Sequence, residues 1–250
     1  MSELSGRTTI VVGASRGLGH GIATAFAEAG APVVAVARTA AEFAVPANGS
    51  GTIQQEVADA GDATVAAGLI DRHQPQTIVL VAGAIPHMLP LQEQTWETFS
   101  VNWESDVRIA FHWLRAALLA PLPPGSRVVV VSSGAAMNPT GSPLSGGYAG
   151  AKAAQRFITG YAQGEAKQAG LDITFTTVMP RFAPETGVGE AAVAAYAAKS
   201  GMSVPDFLRA QGPLLNPEIA GAAMVELAQA DAAELAPAYM LFGKGLKELP

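Results

Sequence analysis

The sequence predicts an α/β fold, a doubly wound parallel sheet with helices on both faces. Three observations carry that prediction. Short β-branched runs alternate with alanine-rich stretches of helical periodicity. The runs are apolar throughout instead of alternating with polar residues, as strands covered on both faces require. Alanine supplies 49 of the 250 residues, so a hydrophobic share of 49% goes with only 6% aromatics. Small side chains of that kind let helices lie close upon a sheet.

In chain order, residues 8–12 form the first apolar run, and 18–29 carry a helical stripe that Gly30 is placed to stop. Residues 32–37 are the second strand, 51–55 a weaker third, and 62–72 a helix. Residues 77–82 are the next strand, followed by one long helix over 96–120. The valines of 127–131 make another strand, 148–169 another helix before Gly170, and 173–178 a further strand. The alternation then lapses: 182–213 gathers Gly, Pro and Ala and is expected to form a substrate loop or lid with one or two short helices. A last helix (217–229) and strand (238–242) return to the same sheet, so residues 1–250 are expected to make a single domain.

Composition excludes several functions. With no cysteine there is neither a disulfide framework nor a thiolate nucleophile or metal site, and the four histidines have no metal-ligand spacing. Fifteen basic residues against 21 acidic ones give a formal charge of −6, with no Lys/Arg cluster, which argues against a nucleic-acid partner. No run approaches the roughly 20 apolar residues of a membrane span. A cytoplasmic protein without membrane or metal is expected.

The chemistry begins in the first turn. Gly13, Gly17 and Gly19 lie between a strand and a helix, with Ala14, Ser15, Arg16 and Leu18 among them. In that setting backbone N–H groups and the positive helix end attract a pyrophosphate, and a side chain at a glycine would hold it away. The end of the second strand selects the dinucleotide: an acid suits a ribose 2′-hydroxyl, a cation a 2′-phosphate. Here stand Arg38 and Thr39, with Arg16 nearby, so NADP(H) is favoured over NAD(H). Against this stands a solvated Arg38 paired with Glu42.

Tyr148 and Lys152 fall one helical turn apart on one face. A phenol is a poor acid or base near neutrality, and an adjacent cation favours its ionised form. The helix follows a strand ending in Ser132 and Ser133, at the edge where α/β sheets bind ligands. In these motifs, and over essentially its whole length, the sequence resembles the short-chain dehydrogenase/reductase family of Rossmann-like, single-domain oxidoreductases.

The resemblance implies a carbonyl–alcohol oxidoreductase using NADP(H) on a small-molecule substrate. It gives Tyr148 the role of general acid/base, Lys152 that of assisting it and holding the nicotinamide ribose, and Ser133 that of orienting the substrate oxygen. Asn102 corresponds to a helix asparagine of the proton relay. Glu56 and Val57 fall where the family contacts adenine; Ala82, Gly83, Ala84, Pro180 and Thr186 fall along the cofactor. A homotetramer or dimer through helices 103–120 and 148–169 is also implied. Two other readings remain, a catalytically idle dinucleotide sensor or scaffold and an epimerase or dehydratase.

The sequence departs from the family pattern in three places. Leu80 and Val81 replace the usual asparagines before Ala82-Gly83, which points to a packing substitution. The segment from Ser133 to Tyr148 is about two residues longer than is common in the family and contains Pro139 and Pro143, which leaves Ser132 as a competing serine. Arg181 replaces the glycine after Pro180. It either meets an acidic substrate group or turns to solvent, Glu185 or Glu190. His87 and Phe182 are further candidates for the substrate pocket.

Overall fold

The structure is a computed structural model and describes residues 4–44, 51–120, 122–138 and 142–249. The sheet has eight strands: β1 (Thr9–Val12), β2 (Pro32–Ala37), β3 (Thr52–Val57), β4 (Thr77–Leu80), β5 (Ser126–Val131), β6 (Ile173–Pro180), β7 (Ala238–Phe242) and β8 (Gly245–Leu249). Their order is β3-β2-β1-β4-β5-β6-β7-β8, parallel except for the β7–β8 pair.

The continuous apolar runs follow from burial on both faces. Along β1, Val11 enters one core while Ile10 and Val12 enter the other. Helices α1 (Gly17–Glu28) and α8 (Pro217–Gln229) cover the first face. Helices α2 (Ala63–His73), α4 (Arg108–Leu119) and α5 (Gly146–Gln168) cover the second. The expected lid region carries α6 (Gly187–Lys199) and α7 (Val204–Ala210), packed on each other through Val193, Ala197 and Phe207.

Three elements differ from the sequence reading. The third strand runs two residues further, to Val57. The long helix over 96–120 is interrupted: α3 (Trp96–Asn102) passes through a π-helical turn, Trp103–Val107, into α4. Asp106 in that turn is fully buried, so a wide turn carries an acid inward where a regular amphipathic helix would show it to water. The last strand, β8, was not anticipated. Its Lys247 and Glu248 suit an exposed edge strand, which a polar chain end does not advertise.

Among the described residues no helix is long and apolar enough to cross a membrane.

Candidate active site

A cavity of about 910 Å³ opens at the carboxyl ends of β1, β4, β5 and β6. Connections leave β1 and β4 toward opposite sides of the sheet, and such a switch point is where doubly wound folds place their ligands.

The glycine turn forms one wall. Gly13 adopts φ +97°, and its N–H donates to the Val36 carbonyl at 2.8 Å. A Cβ on Gly13 would lie 2.6 Å from the Ala82 backbone, and one on Gly19 would lie 2.1 Å from the Gly13 carbonyl oxygen. The absent side chains therefore let the turn, α1 and the β4 loop close on one another. The start of α1 has no side-chain cap and no acid in its first turn, leaving backbone N–H groups and the positive helix end free for an anion. Gly13, Ser15, Gly17, Leu18 and Gly19 all line the cavity, as do Ala82, Gly83 and Ala84 opposite. These residues fit a dinucleotide pyrophosphate.

Arg16 and Arg38 line the same cavity and also a side pocket of about 520 Å³ that includes Thr39. Both arginines are exposed, and among the described residues neither pairs with an acid. Glu42 is engaged through its backbone carbonyl, 2.9 Å from His20 Nε2. Two unneutralised guanidinium groups thus border one small pocket, a fitting environment for a phosphate.

The two residues expected at the adenine end stand outside the cavity. Glu56 and Val57 do not line the cavity; Ala58, Asp59, Ala60 and Gly61 do. The cause is the length of β3, which carries Glu56 inside the strand, where its carboxylate meets Arg72 at 3.2 Å and His73 at 3.6 Å. The loop beyond is fixed by Trp113 Nε1, donating to the Ala60 carbonyl at 3.1 Å, and by Asp59, accepting from the Gly61 N–H at 2.9 Å.

Deeper in the cavity stand Ser132, Ser133, Tyr148 and Lys152. The two serines divide their work. Ser132 donates to the Lys152 carbonyl at 2.7 Å and so ties β5 to α5. Ser133 accepts from the Ala135 N–H at 3.1 Å and keeps its hydroxyl hydrogen for the cavity. Lys152 Nζ lies 5.6 Å from the Tyr148 ring centroid. Helices α3 and α5 meet closely at Gly147, where a Cβ would fall 2.3 Å from the Phe99 carbonyl oxygen.

That contact brings Asn102 and Asp106 to the lysine. Asn102 Nδ2 donates to the Ala84 carbonyl at 2.8 Å. Asp106 Oδ2 lies 3.0 Å from Lys152 Nζ, and Oδ1 accepts from the Ala84 N–H at 2.8 Å. The polar support of the β4 loop therefore comes from across the cavity floor, while Val81 packs near Gly19. Burial alone would push the Lys152 ammonium toward its neutral form. Asp106, aided by Tyr148, outweighs burial and holds the group above its ordinary value. Asp106 and its partner Gln155 were not singled out in the sequence, although three polar residues in an apolar helix, Glu104-Ser105-Asp106, were the available signal.

At the outer end, Pro180, Arg181, Phe182 and Thr186 line the cavity as expected. Thr186 caps α6: its hydroxyl donates to the Ala183 carbonyl at 2.8 Å and accepts from the Gly189 N–H at 3.0 Å. Arg181 is exposed and pairs with neither Glu185 nor Glu190. Phe182 packs edge-on against Phe207 and Tyr196. His87 does not line the cavity; Pro86 and Met88 do, and the side chain between them in this extended segment points to solvent. Tyr196 was missed. It lines the cavity, with its hydroxyl 2.7 Å from Ser145 Oγ and 3.2 Å from Ser142 Oγ. Pro139 lies outside the described residues; Pro143 lines the cavity.

Fold and site together define a doubly wound α/β protein whose sheet-edge cavity fits a dinucleotide. The chain belongs to the short chain dehydrogenase family, whose model matches residues 7–196. It is 34% identical over 140 residues to the short chain dehydrogenase mpl6 of Monascus purpureus, covering 50% of this chain and 48% of that protein. The chain thus spans about half the length of that relative and of a second from Monascus ruber. It is 29% identical over 183 residues to 2,5-dichloro-2,5-cyclohexadiene-1,4-diol dehydrogenase of Sphingobium indicum, covering 69% and 72% of the two chains. Among solved structures, an NAD(P) dependent dehydrogenase from Beutenbergia cavernae with bound NADP superposes with a TM-score of 0.76 at 25% identity over 96% of each chain. A Mycobacterium avium short chain dehydrogenase superposes at 0.74 and 22% identity, covering 100% and 86%, and supports the fold.

Proposed function

We propose that the protein interconverts a carbonyl and a secondary alcohol on a small molecule, using NADP(H). The observation that carries this is the convergence of Ser133, Tyr148 and Lys152 on the cavity that the glycine turn, Arg16 and Arg38 also line. In this reading the α1 N-terminus holds the pyrophosphate, and Arg16 and Arg38, with Thr39 beside them, hold a 2′-phosphate. Pro180 and Thr186 flank the nicotinamide end. The bound dinucleotide supplies or accepts a hydride. Ser133 positions the substrate oxygen, Tyr148 gives or takes its proton, and Lys152 supports the phenol and the ribose. Asn102 braces the lysine side of the site by fixing the Ala84 loop.

Residues 1–250 act as one catalytic unit in this reading, with 182–213 as its lid. Phe111 and Leu119 on α4 and Phe157 and Tyr161 on α5 are exposed, which supports a homodimer or tetramer built through those helices. Arg181 is read as a partner for an acidic group of the substrate. A catalytically idle dinucleotide binder would have no use for the buried, charge-balanced lysine beside Tyr148.

The deciding variant is Tyr148→Phe, measured for NADPH affinity and for NADPH consumption against a panel of carbonyl compounds. NADPH affinity is expected to stay within about twofold, while turnover falls by about 10²- to 10⁴-fold. Wild-type turnover in the variant would refute the assignment.

A further inference from the structure

Asp106 and Lys152 form a buried ion pair, fully covered and 5% exposed respectively, with Nζ 3.0 Å from Oδ2. The carboxylate is fixed by more than the lysine: Oδ1 accepts from the Ala84 N–H at 2.8 Å, and Asn102 Nδ2 lies 3.4 Å from each oxygen. Gln155, one turn beyond Lys152 on α5, closes the frame. Its Nε2 donates to the Asp106 backbone carbonyl at 2.9 Å, and its Oε1 accepts from Lys152 Nζ at 3.0 Å. Two of the three ammonium hydrogens are therefore committed, and the third is left for the cavity.

The π-helical turn gives Asp106 its place. Such turns are rare and collect at functional sites, because the extra residue redirects a side chain that a regular helix would aim elsewhere. Few other charges reach the ammonium. On α5 it meets Tyr148 and the neutral Gln155; the neutral Asn102 of α3 bonds to Asp106, and Ser132 at the end of β5 bonds to the Lys152 backbone carbonyl. Glu97 of α3 and Glu104 of the turn are exposed, and Arg108 at the head of α4 has its guanidinium beside Gly61.

We propose that Asp106 is a positioning residue: it keeps Lys152 charged inside the protein and, together with Gln155, aims its remaining N–H into the cavity. The consequence for turnover rests on the carbonyl–alcohol reading above; the coupling between the two side chains does not.

The test is thermal unfolding of the cofactor-free protein between about pH 7 and about pH 10. Asp106→Asn keeps the shape and an oxygen for the Ala84 N–H but removes the charge. In the wild type the raised lysine value contributes stability below the ordinary 10.5, and that contribution is lost as pH rises through the folded value. In the variant only Tyr148 is left to oppose burial, so the folded value is expected to fall below 10.5, and the unfolded chain then takes up the proton first as pH falls. The gap in Tm is expected to be about 10 °C near neutrality and to narrow toward alkaline pH. A gap that stays constant across the range overturns the proposal, since a purely structural defect has no reason to track the lysine proton.

A second background guards against misfolding of the single variant. In Lys152→Met, adding Asp106→Asn is expected to change Tm by less than about 2 °C, or to raise it, because no ammonium is left unpaired. The same cost in both backgrounds, or a double variant that does not fold, overturns the proposal. These readouts need neither substrate nor dinucleotide. If the coupling holds while Tyr148→Phe still turns over, the catalytic reading falls and the ion-pair reading stands.

Discussion

Replacing Arg38 with alanine is expected to weaken NADPH binding and leave NADH binding nearly unchanged. The guanidinium lines both the main cavity and the side pocket, beside Arg16, and no acidic side chain among the described residues neutralises it. A hydrogen bond to a charged group contributes about 1.5–3 kcal/mol. Arg38 is exposed, so solvent and salt screen it and the lower half of that range applies. About 2 kcal/mol corresponds to roughly a 30-fold rise in the NADPH dissociation constant.

Removing Arg16 as well is expected to extend the loss to several hundredfold if the two contributions add. Fluorescence titration of NADPH and NADH against wild type, each single variant and the pair gives the ratio directly, since the chain carries three tryptophans. The wild-type preference is expected to shrink with added salt, as the screening length falls from about 10 Å at 0.1 M to about 3 Å at 1 M. Equal weakening of both dinucleotides would mean that Arg38 supports the fold, and no change in either would mean that it is merely solvated. Either result refutes the assignment of the side pocket to a 2′-phosphate.

Two further variants probe other walls of the site. Gly13→Ala places a methyl group 2.6 Å from the Ala82 backbone at φ +97°, so a loss of about 2–4 kcal/mol in urea unfolding is expected; an unchanged midpoint would show that the turn can open at no cost. Arg181→Ala is expected to lower kcat/KM on carboxylated ketones about tenfold more than on neutral ones, and equal effects on both would sink the idea of an acidic substrate.

The sheet was legible because its central strands are buried on both faces and spell out uninterrupted apolar runs, such as Val128 to Val131. The edges were harder. The polar Gln54, Gln55 and Glu56 blur the end of β3, so the strand read two residues short of Val57, and Glu56 falls inside it while the loop from Ala58 to Gly61 lines the cavity. The glycine turn was readable because its close approach to Ala82 and its positive φ at Gly13 demand glycine in sequence. Arg38 was readable for a related reason, since it follows directly from a strand end.

Asp106 was not legible in the same way. Its place depends on a local change of helix type, and a polar residue in a helix is ordinarily assigned to the outer face. Tyr196 was hidden for another reason: helix α6 is mostly alanine and valine, with no stripe to indicate which side faces the sheet. His87 erred in the opposite direction, because an extended segment gives no clue which alternate residues face inward until a neighbouring element is in place.

The hydrogen bonds that link Tyr196 with Ser142 and Ser145 join two parts of the chain that differ in kind. Tyr196 belongs to the helix over the cavity mouth, while Ser145 is the residue immediately before α5, three positions ahead of Tyr148. Any displacement of α6 wide enough to exchange bulky molecules must break these bonds and free the first turn of α5, whose leading N–H groups have no side-chain cap from Ser145. Under the proposed function, entry, exit and the rigidity of the Tyr148 phenol would share one latch.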